Sequence, residues 1–120
     1  MDIPNHGIHY LEIVTPDAEA ACRFYSSAYG WAFKPAGAEL GFSFVAELPG
    51  GSRCGIRGPL SPEETPIVRT YLRVADLVTA TQEAERLGAT LLLDHMDIPG
   101  WGKIAIYEIG GIQQGLWQVP

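Results

Sequence analysis

The stretch IHYLEIVTPD at residues 8–17 decides how the chain is organised, because it runs from one kind of secondary structure into another. Its first seven residues are rich in β-branched and aromatic side chains and are too short for a stable helix, so they predict a strand. Thr15-Pro16-Asp17 is a helix-start signal. Apolar residues then recur at spacings of three and four as far as Tyr29, and Gly30 follows them. This pattern predicts a helix over residues 18–29.

The stretch IVRTYLRVAD at residues 67–76 repeats the same order of strand and helix start, and the helix after it keeps apolar spacing as far as Gly88. Short runs of strand-forming residues follow each helix; they lie at residues 31–35, 42–48 and 53–57, and at residues 89–93, 103–109 and 113–119. Residues 59–66 carry prolines and acids without apolar periodicity and predict a linker. We therefore predict a single domain over residues 1–120, built from two βαβββ units at residues 7–58 and 67–120.

The alternation of side chains along a strand assigns residues to the two faces of each first strand. Leu11 and Ile13 are expected to pack beneath the first helix, which sends Tyr10 and Glu12 to the opposite face. His9 should then face away from Tyr10, unless a bulge re-aims the strand. In the second unit Leu72 and Val74 take the packed positions, so the residues on the opposite face are Arg69, Tyr71 and Arg73.

Composition excludes several classes of function. Eight Lys and Arg against 14 Asp and Glu give a net charge of -6, which disfavours nucleic acid as a partner. No segment approaches the length of a membrane span, and the first residues lack a basic region followed by an apolar run. Two cysteines, Cys22 and Cys54, are too few for a disulfide scaffold. We therefore expect a cytoplasmic protein with no membrane partner.

Short motifs stand in a fixed order and spacing along nearly the whole chain. They are Glu12-Ile13, Asp17, Phe24-Tyr25 and Gly30-Trp31 in the first unit, and Val74-Ala75-Asp76, Leu87-Gly88-Ala89, DIPGWG at residues 97–102 and GLWQ at residues 115–118 in the second. Together they resemble the vicinal oxygen chelate family, which includes glyoxalase I, extradiol dioxygenases, methylmalonyl-CoA epimerase and bleomycin-binding proteins. The resemblance implies an α+β fold in which two βαβββ modules form a U-shaped mixed sheet, with the ligand inside the cup.

The resemblance also implies where a divalent metal would be held, because metal-dependent members use His or Glu on the first and last strands of each unit. The equivalent positions here are Tyr10, Cys54 or Gly55, Arg69 and Gly115, which are poor ligands for a hard divalent ion. His6 lies in the N-terminal tail, and His95 and Asp97 lie in a predicted loop at residues 94–99. These could join a metal site only by chance of folding. We therefore predict no metal and no other cofactor.

The candidate ligand-binding residues are those expected on the cup face together with a tryptophan in a glycine-rich loop; they are Tyr10, Glu12, Arg69, Tyr71, Arg73, Trp117 and Trp101. One interpretation is structural: Arg69 or Arg73 pairs with Glu12 to satisfy a buried carboxylate. The other is a site for a small anionic or aromatic molecule, in which an arginine grips a carboxylate or phenolate and the rings cover the apolar part. Trp101 is either part of a lid or a plug that packs at the end of the cup or on a partner subunit.

The function that these residues favour is metal-independent binding of a small aromatic or anionic molecule. The resemblance implies a homodimer, and an apolar content of 47% with exposed sheet edges agrees with that expectation. The alternative is an enzyme: a metal-dependent lyase, isomerase or dioxygenase with displaced ligands, or a cofactor-free isomerase. Glu12 is the only candidate general base, and it could act only if Arg69 or Arg73 did not hold it ionised. Cys54 is a second reactive candidate, although no base is evident beside it. Cys22 falls on the apolar stripe of the first helix and is expected to be a packing residue.

Overall fold

The computed structural model describes residues 3–120 and has α+β secondary structure, with the element order βαβββ occurring twice. The helices are α1 (Ala18–Tyr29) and α2 (Leu77–Arg86). The strands are β1 (Ile8–Val14), β2 (Lys34–Pro35), β3 (Phe44–Glu47), β4 (Arg53–Arg57), β5 (Ile67–Arg73), β6 (Thr90–Ile98), β7 (Gly102–Ile109) and β8 (Ile112–Gln118). The predicted fold class and the duplicated order of elements are therefore confirmed.

The described chain divides into two compact units, which we call unit one (residues 10–68) and unit two (residues 3–9 with 69–120). No helix within residues 3–120 is long and apolar enough to cross a membrane. The single-domain organisation with a linker at residues 59–66 stays a prediction.

Unit one is a mixed sheet with the strand order β2-β3-β4-β1, in which β1 runs parallel to β4. Asp17 begins α1 by accepting a hydrogen bond from the amide of Ala20 at 3.3 Å, and Gly30 ends it with φ 73°. The core beneath the helix consists of Ile13, Cys54 and Ile56, with Leu11 and apolar residues of α1 packed against it. Leu11 and Ile13 thus take the packed face, as the alternation predicted.

Unit two has the corresponding order β5-β8-β7-β6, in which β5 runs parallel to β8. Its core consists of Val74, Leu77, Ala105 and Leu116, with Leu72 and Ala80 among the residues packed against it. Asp76 begins α2 by accepting from the amide of Thr79 at 3.1 Å. The N-terminal segment belongs to this unit, since the amide of His6 donates to the carbonyl of Arg73 at 2.7 Å and that of Arg73 to the carbonyl of Gly7 at 2.8 Å.

The predicted loop at residues 94–99 is wrong, because β6 continues through Ile98 and pairs with β7 as far as Gly102. Register shifts between Leu91 and Leu93 and between Leu93 and Met96 interrupt the alternation of this strand. His95 takes a left-handed backbone conformation with φ 46°. These irregularities hide the period of two by which a strand is recognised in a sequence. Two other strands are shorter than predicted: β2 covers only Lys34–Pro35 and β3 only Phe44–Glu47.

Gly102 at the start of β7 provides a direct test of this packing. Its φ is +125°, and a Cβ there would overlap the carbonyl oxygen of Gln118 and lie 3.1 Å from the carbonyl carbon. Gly100 has φ +83°, but a Cβ there would meet nothing within 4 Å. We expect Gly102→Ala to lower the free energy of unfolding by about 3 kcal/mol or more, and the control Gly100→Ala by about 1 kcal/mol, since only the first adds a backbone clash to the strain. Urea unfolding of the two variants measures the difference, and equal losses would contradict the close approach of the two strands.

Candidate functional site

Arg57 at the end of β4 is the centre of an ion-pair network in unit one. Its Nε donates to Glu12 Oε2 at 3.0 Å, while Nη1 and Nη2 donate to the two carboxylate oxygens of Glu64 at 2.9 and 2.7 Å. The side chains of Arg57, Glu12 and Glu64 are only 9%, 13% and 22% exposed. A bidentate pair between a guanidinium and a carboxylate that are both largely buried is stronger than an exposed ion pair with a single contact.

The predicted partner of Glu12 was Arg69 or Arg73, and this prediction is wrong, because Arg57 forms the ion pair. The register explains the contact: Glu12 is opposite Gly55 in the parallel pair of β1 and β4, so Arg57, two residues further along β4, points to the same face. The signal was present in the alternation of β4, but finding it required knowledge of which strand lies next to β1.

Glu64 ties the segment between the two repeats to this network. Besides its fork with Arg57, Glu64 Oε1 accepts a hydrogen bond from the amide of Leu60 at 2.7 Å, and Arg57 Nη1 donates to the carbonyl of Gly58 at 3.1 Å. The predicted linker is thus folded back on β4. Burial would lower the pKa of the Arg57 guanidinium, but the hydrogen bonds and charges of Glu64 and Glu12 raise it overall. To serve as a general base, Glu12 would first have to leave this cation.

Tyr10 lies on the same face of unit one and covers a glycine. It is 3% exposed, and a Cβ at Gly55 would overlap its hydroxyl oxygen and lie 2.5 Å from its Cζ. Its hydroxyl is hydrogen-bonded to Ser43, whose Oγ in turn donates to the carbonyl of Leu40 at 2.5 Å. Burial, followed by the negative charge of Glu12, raises the pKa of Tyr10 far above its ordinary value. The phenol therefore stays protonated at neutral pH.

Tyr71 lies over a glycine in the corresponding place of unit two. A Cβ at Gly115 would overlap Cδ2 of Tyr71 and lie 2.6 Å from its Cγ. The Tyr71 ring meets the Trp117 ring edge to face at a centroid distance of 5.6 Å. Trp117 is 1% exposed, and its Nε1 donates to the carbonyl of Trp101 at 2.9 Å. The candidate lid at residues 99–102 is thus fastened to the aromatic pair by a hydrogen bond.

His9 is placed differently from the expectation that it would lie apart from the cup residues. Its ring contacts the Trp117 ring at a centroid distance of 5.3 Å. The residues just before it pair with the end of β5 through Arg73, whereas β1 pairs with β4 from Tyr10 onward. Because the backbone changes its pairing partner at this point, the alternation of side chains seen from Tyr10 onward does not predict the orientation of His9.

Arg69 and Arg73 also belong to unit two. Arg69 is 7% exposed, and its Nη2 donates to Gln113 Oε1 at 2.6 Å. Arg73 is half-buried and stands opposite Trp117 in the register of β5 and β8. Unit two therefore brings together Arg69 with Gln113, and Tyr71 with Trp117 and the Trp101 carbonyl. That these residues share one cup with Tyr10 and Glu12 of unit one stays a prediction.

The two cysteines are packing residues. Cys54 is 0% exposed and lies in the core beneath α1, and burial raises the pKa of its thiol to about 12. A thiol of this kind is not a nucleophile at neutral pH, which removes the reactive role considered for Cys54. Cys22 is half-buried on α1 and packs against the same core, and burial raises the pKa of its thiol too.

The residues at the implied metal positions do not fit a divalent cation. Tyr10 is a protonated phenol, Arg69 is a cation, and Gly55 and Gly115 carry no donor, while Cys54 points into the core. Among residues 3–120, no group of three or more His, Cys, Asp or Glu side chains is arranged to hold a metal ion. His95 lies on β6 beside Asp94, with which it forms an ion pair if protonated.

The ion-pair network of unit one makes a prediction about stability. Arg57→Leu leaves two poorly hydrated carboxylates without this guanidinium, and we expect it to lower the free energy of unfolding by about 3 kcal/mol or more. Glu12→Gln leaves the fork between Arg57 and Glu64 in place, so its cost should be about 1 kcal/mol. Arg86→Gln, which breaks an exposed pair with Glu83 on α2, is the control and should leave stability unchanged. Denaturant unfolding of the three variants gives the ranking, and a costly Glu12→Gln with a harmless Arg57→Leu would contradict it.

Comparison with known proteins agrees with this architecture. A family model described as "Glyoxalase-like domain" matches residues 10–107. The chain is 29% identical over 116 residues to the proteins named "Putative glyoxylase CFP32" of Mycobacterium bovis and Mycobacterium tuberculosis. These matches cover 92% of the chain but 44% of the relatives, so the chain spans about half the length of the curated relatives it matches.

Solved structures share the fold at low sequence identity. Methylmalonyl-CoA epimerase from Mycobacterium tuberculosis superposes with a TM-score of 0.77 at 16% identity, covering 100% of this chain and 92% of that one. The Streptomyces coelicolor epimerase in complex with 2-nitronate-propionyl-CoA gives 0.75 at 16% identity, with 97% and 96% covered. A hypothetical protein from Bacillus halodurans gives 0.77 at 14% identity, with 94% of each chain covered. Because the family model covers most of its length, the chain belongs to the glyoxalase-like domain family, within the vicinal oxygen chelate superfamily.

Proposed function

We propose that this glyoxalase-like protein binds a small anionic or aromatic molecule and does so without a divalent metal. The observation that carries the proposal is the composition of one face of unit two, where Arg69, Tyr71 and Trp117 occur together. Arg69 and Tyr71 are two residues apart on β5, so alternation gives them the same face, and their contacts with Gln113 and Trp117 on β8 support a common face for the four side chains. A guanidinium fork beside aromatic rings suits a carboxylate or phenolate attached to a flat apolar body.

Access to these groups depends on the segment that covers them. Tyr71 and Trp117 are 3% and 1% exposed, so a ligand could stack against them only after a neighbouring segment moves. The loop at residues 99–102 is the natural candidate, because Gly100 and Gly102 flank Trp101 and the carbonyl of Trp101 holds the Trp117 indole. We therefore propose that ligand binding and opening of this loop occur together.

The alternative functions receive less support from the side chains present. A metal-dependent lyase, isomerase or dioxygenase needs a donor set that Tyr10, Gly55, Arg69 and Gly115 do not supply. A cofactor-free isomerase would need Glu12 as a free base, whereas Arg57 donates to it at 3.0 Å. The Streptomyces coelicolor epimerase, which shares the fold, was solved in complex with 2-nitronate-propionyl-CoA, an anionic coenzyme A ester. That finding is consistent with anion binding and does not require the epimerase reaction in this chain.

We also propose that the protein is a cytoplasmic homodimer. Cys22 and Cys54 are free thiols, which suits a reducing compartment. Phe24 and Tyr29 on α1 are each 60% exposed, which leaves apolar area on unit one that a second copy could cover. Light scattering across a concentration series tests the oligomeric state.

Ligand binding is tested by thermal unfolding with a panel of aromatic carboxylates and phenols, including benzoate, salicylate and 4-hydroxybenzoate. A compound present at 100 times its Kd should stabilise the wild type by about 2.7 kcal/mol. Arg69→Gln should abolish this stabilisation, because it removes the cation that grips the anionic group. Arg86→Gln removes the same charge from the exposed surface of α2 and should keep the response. If no compound stabilises the wild type, or if both variants respond alike, anion binding at Arg69 is rejected.

Metal dependence is tested separately by adding 1 mM Ni²⁺, Zn²⁺ or Mn²⁺ to protein treated with a chelator. Because binding to the native state must stabilise it by mass action, and the donor set does not fit, we expect Tm to change by less than about 1 °C. Metal content after purification gives an independent measurement. A stoichiometric metal, or a rise of several degrees that Tyr10→Phe removes, would contradict the metal-independent part of the proposal.

A further inference from the structure

Each unit places a tyrosine from its first strand over a glycine of its last strand. In unit one Tyr10 of β1 lies over Gly55 of β4, and in unit two Tyr71 of β5 lies over Gly115 of β8. In both cases the two strands are parallel neighbours. The same combination of residues therefore occurs on corresponding strands of both units.

We propose that Tyr10 and Tyr71 are specificity-determining residues that exclude a divalent cation, each by filling the volume that a metal-ligating side chain at Gly55 or Gly115 would need. This inference deepens the metal-independent part of the proposed function and does not depend on which ligand is bound. It concerns two positions at which the family resemblance implies a metal ligand and this chain has glycine. It also explains the departure: the ring and the glycine are matched to one another, so neither can change alone.

The two tyrosines fill this volume with different parts of the side chain. At Gly115 the added Cβ would meet the root of the Tyr71 ring, with Cγ at 2.6 Å and Cε2 at 2.5 Å. These atoms can leave only if the Tyr71 side chain rotates at its base, and the Trp117 ring, which packs against Tyr71 from the side, opposes that rotation. At Gly55 the added Cβ would meet the tip of Tyr10, with Cζ at 2.5 Å and Cε1 at 3.1 Å. A tip can swing, although here its hydroxyl is hydrogen-bonded to Ser43.

This difference predicts a ranking of substitutions. Gly115→Ala should lower Tm by about 8 °C or more, and Gly55→Ala by roughly half as much, because a small rotation moves the Tyr10 tip away whereas the Tyr71 ring must rotate against Trp117. Gly58→Ala is the matched control: its Cβ would lie 3.9 Å from the carbonyl oxygen of Thr15, which is ordinary contact, so Tm should not fall.

A double-mutant cycle then tests whether ring and glycine are matched. When Tyr71 is already alanine, Gly115→Ala should lower Tm by less than half as much as it does in the wild type, because the obstructing ring is gone. The same cycle with Tyr10→Ala and Gly55→Ala provides a second, independent measurement if the Tyr71→Ala variants fail to fold. Equal losses with and without the ring, in whichever cycle can be measured, would overturn the inference.

The exclusion itself is measured with a carboxylate at the glycine position. We expect the Gly115→Glu variant, with Tyr71 intact, to melt at a much lower temperature than the wild type and to bind no Ni²⁺ in equilibrium dialysis. The inference would be overturned if this variant kept its Tm and bound Ni²⁺ beside an intact Tyr71. The two proposals can fail separately. If the tyrosine and glycine substitutions are coupled in the double-mutant cycles but no aromatic acid stabilises the protein, the proposed ligand is rejected and the proposed exclusion of metal is kept.

Discussion

The first and last strands of each repeat pair in parallel, and this pairing fixes the position of every side chain discussed above. It places β4 beside β1 and β8 beside β5, although the chain passes through a helix and two strands before it returns. Side-chain alternation then divides each pair into a face that packs on the helix and a face that carries the polar and aromatic residues. Cys54 and Ile56 go to the first face in unit one, and Gly55 and Arg57 go to the second.

The two units use the second face differently. In unit one it carries a closed network in which Arg57 is shared by Glu12 and Glu64, and this network also anchors the segment that follows β4. Such a network stabilises the position of that segment at the expense of desolvating three charges. In unit two the corresponding face combines Arg69 with a neutral amide and an aromatic pair. The functional proposal therefore rests on unit two, and the network of unit one is accounted for by structure alone.

Burial is the property that most changes the interpretation of the site residues. In unit one Tyr10 is 3% exposed, and in unit two Tyr71 and Trp117 are 3% and 1% exposed. Tyr10 and Tyr71 each lie over a glycine, and the Tyr71 ring packs against Trp117. Because the rings of unit two are covered, the proposed function includes movement of the loop at residues 99–102. The hydrogen bond from Trp117 to the Trp101 carbonyl connects that loop with the rings it covers.

The duplicated βαβββ order, the bounds of β1, β4 and α1, and the packed faces marked by Ile13 and Val74 could all be predicted from the amino-acid sequence, because they depend on local periodicity and helix signals. Which charged groups meet could not be predicted in this way. Arg57 pairs with Glu12 across 45 positions, and that contact follows from strand order and register, which no local pattern records. The same holds for β6, where register shifts interrupt the period of two. It also holds for Gly115, whose missing side chain can be explained only when Tyr71 is known to lie over it.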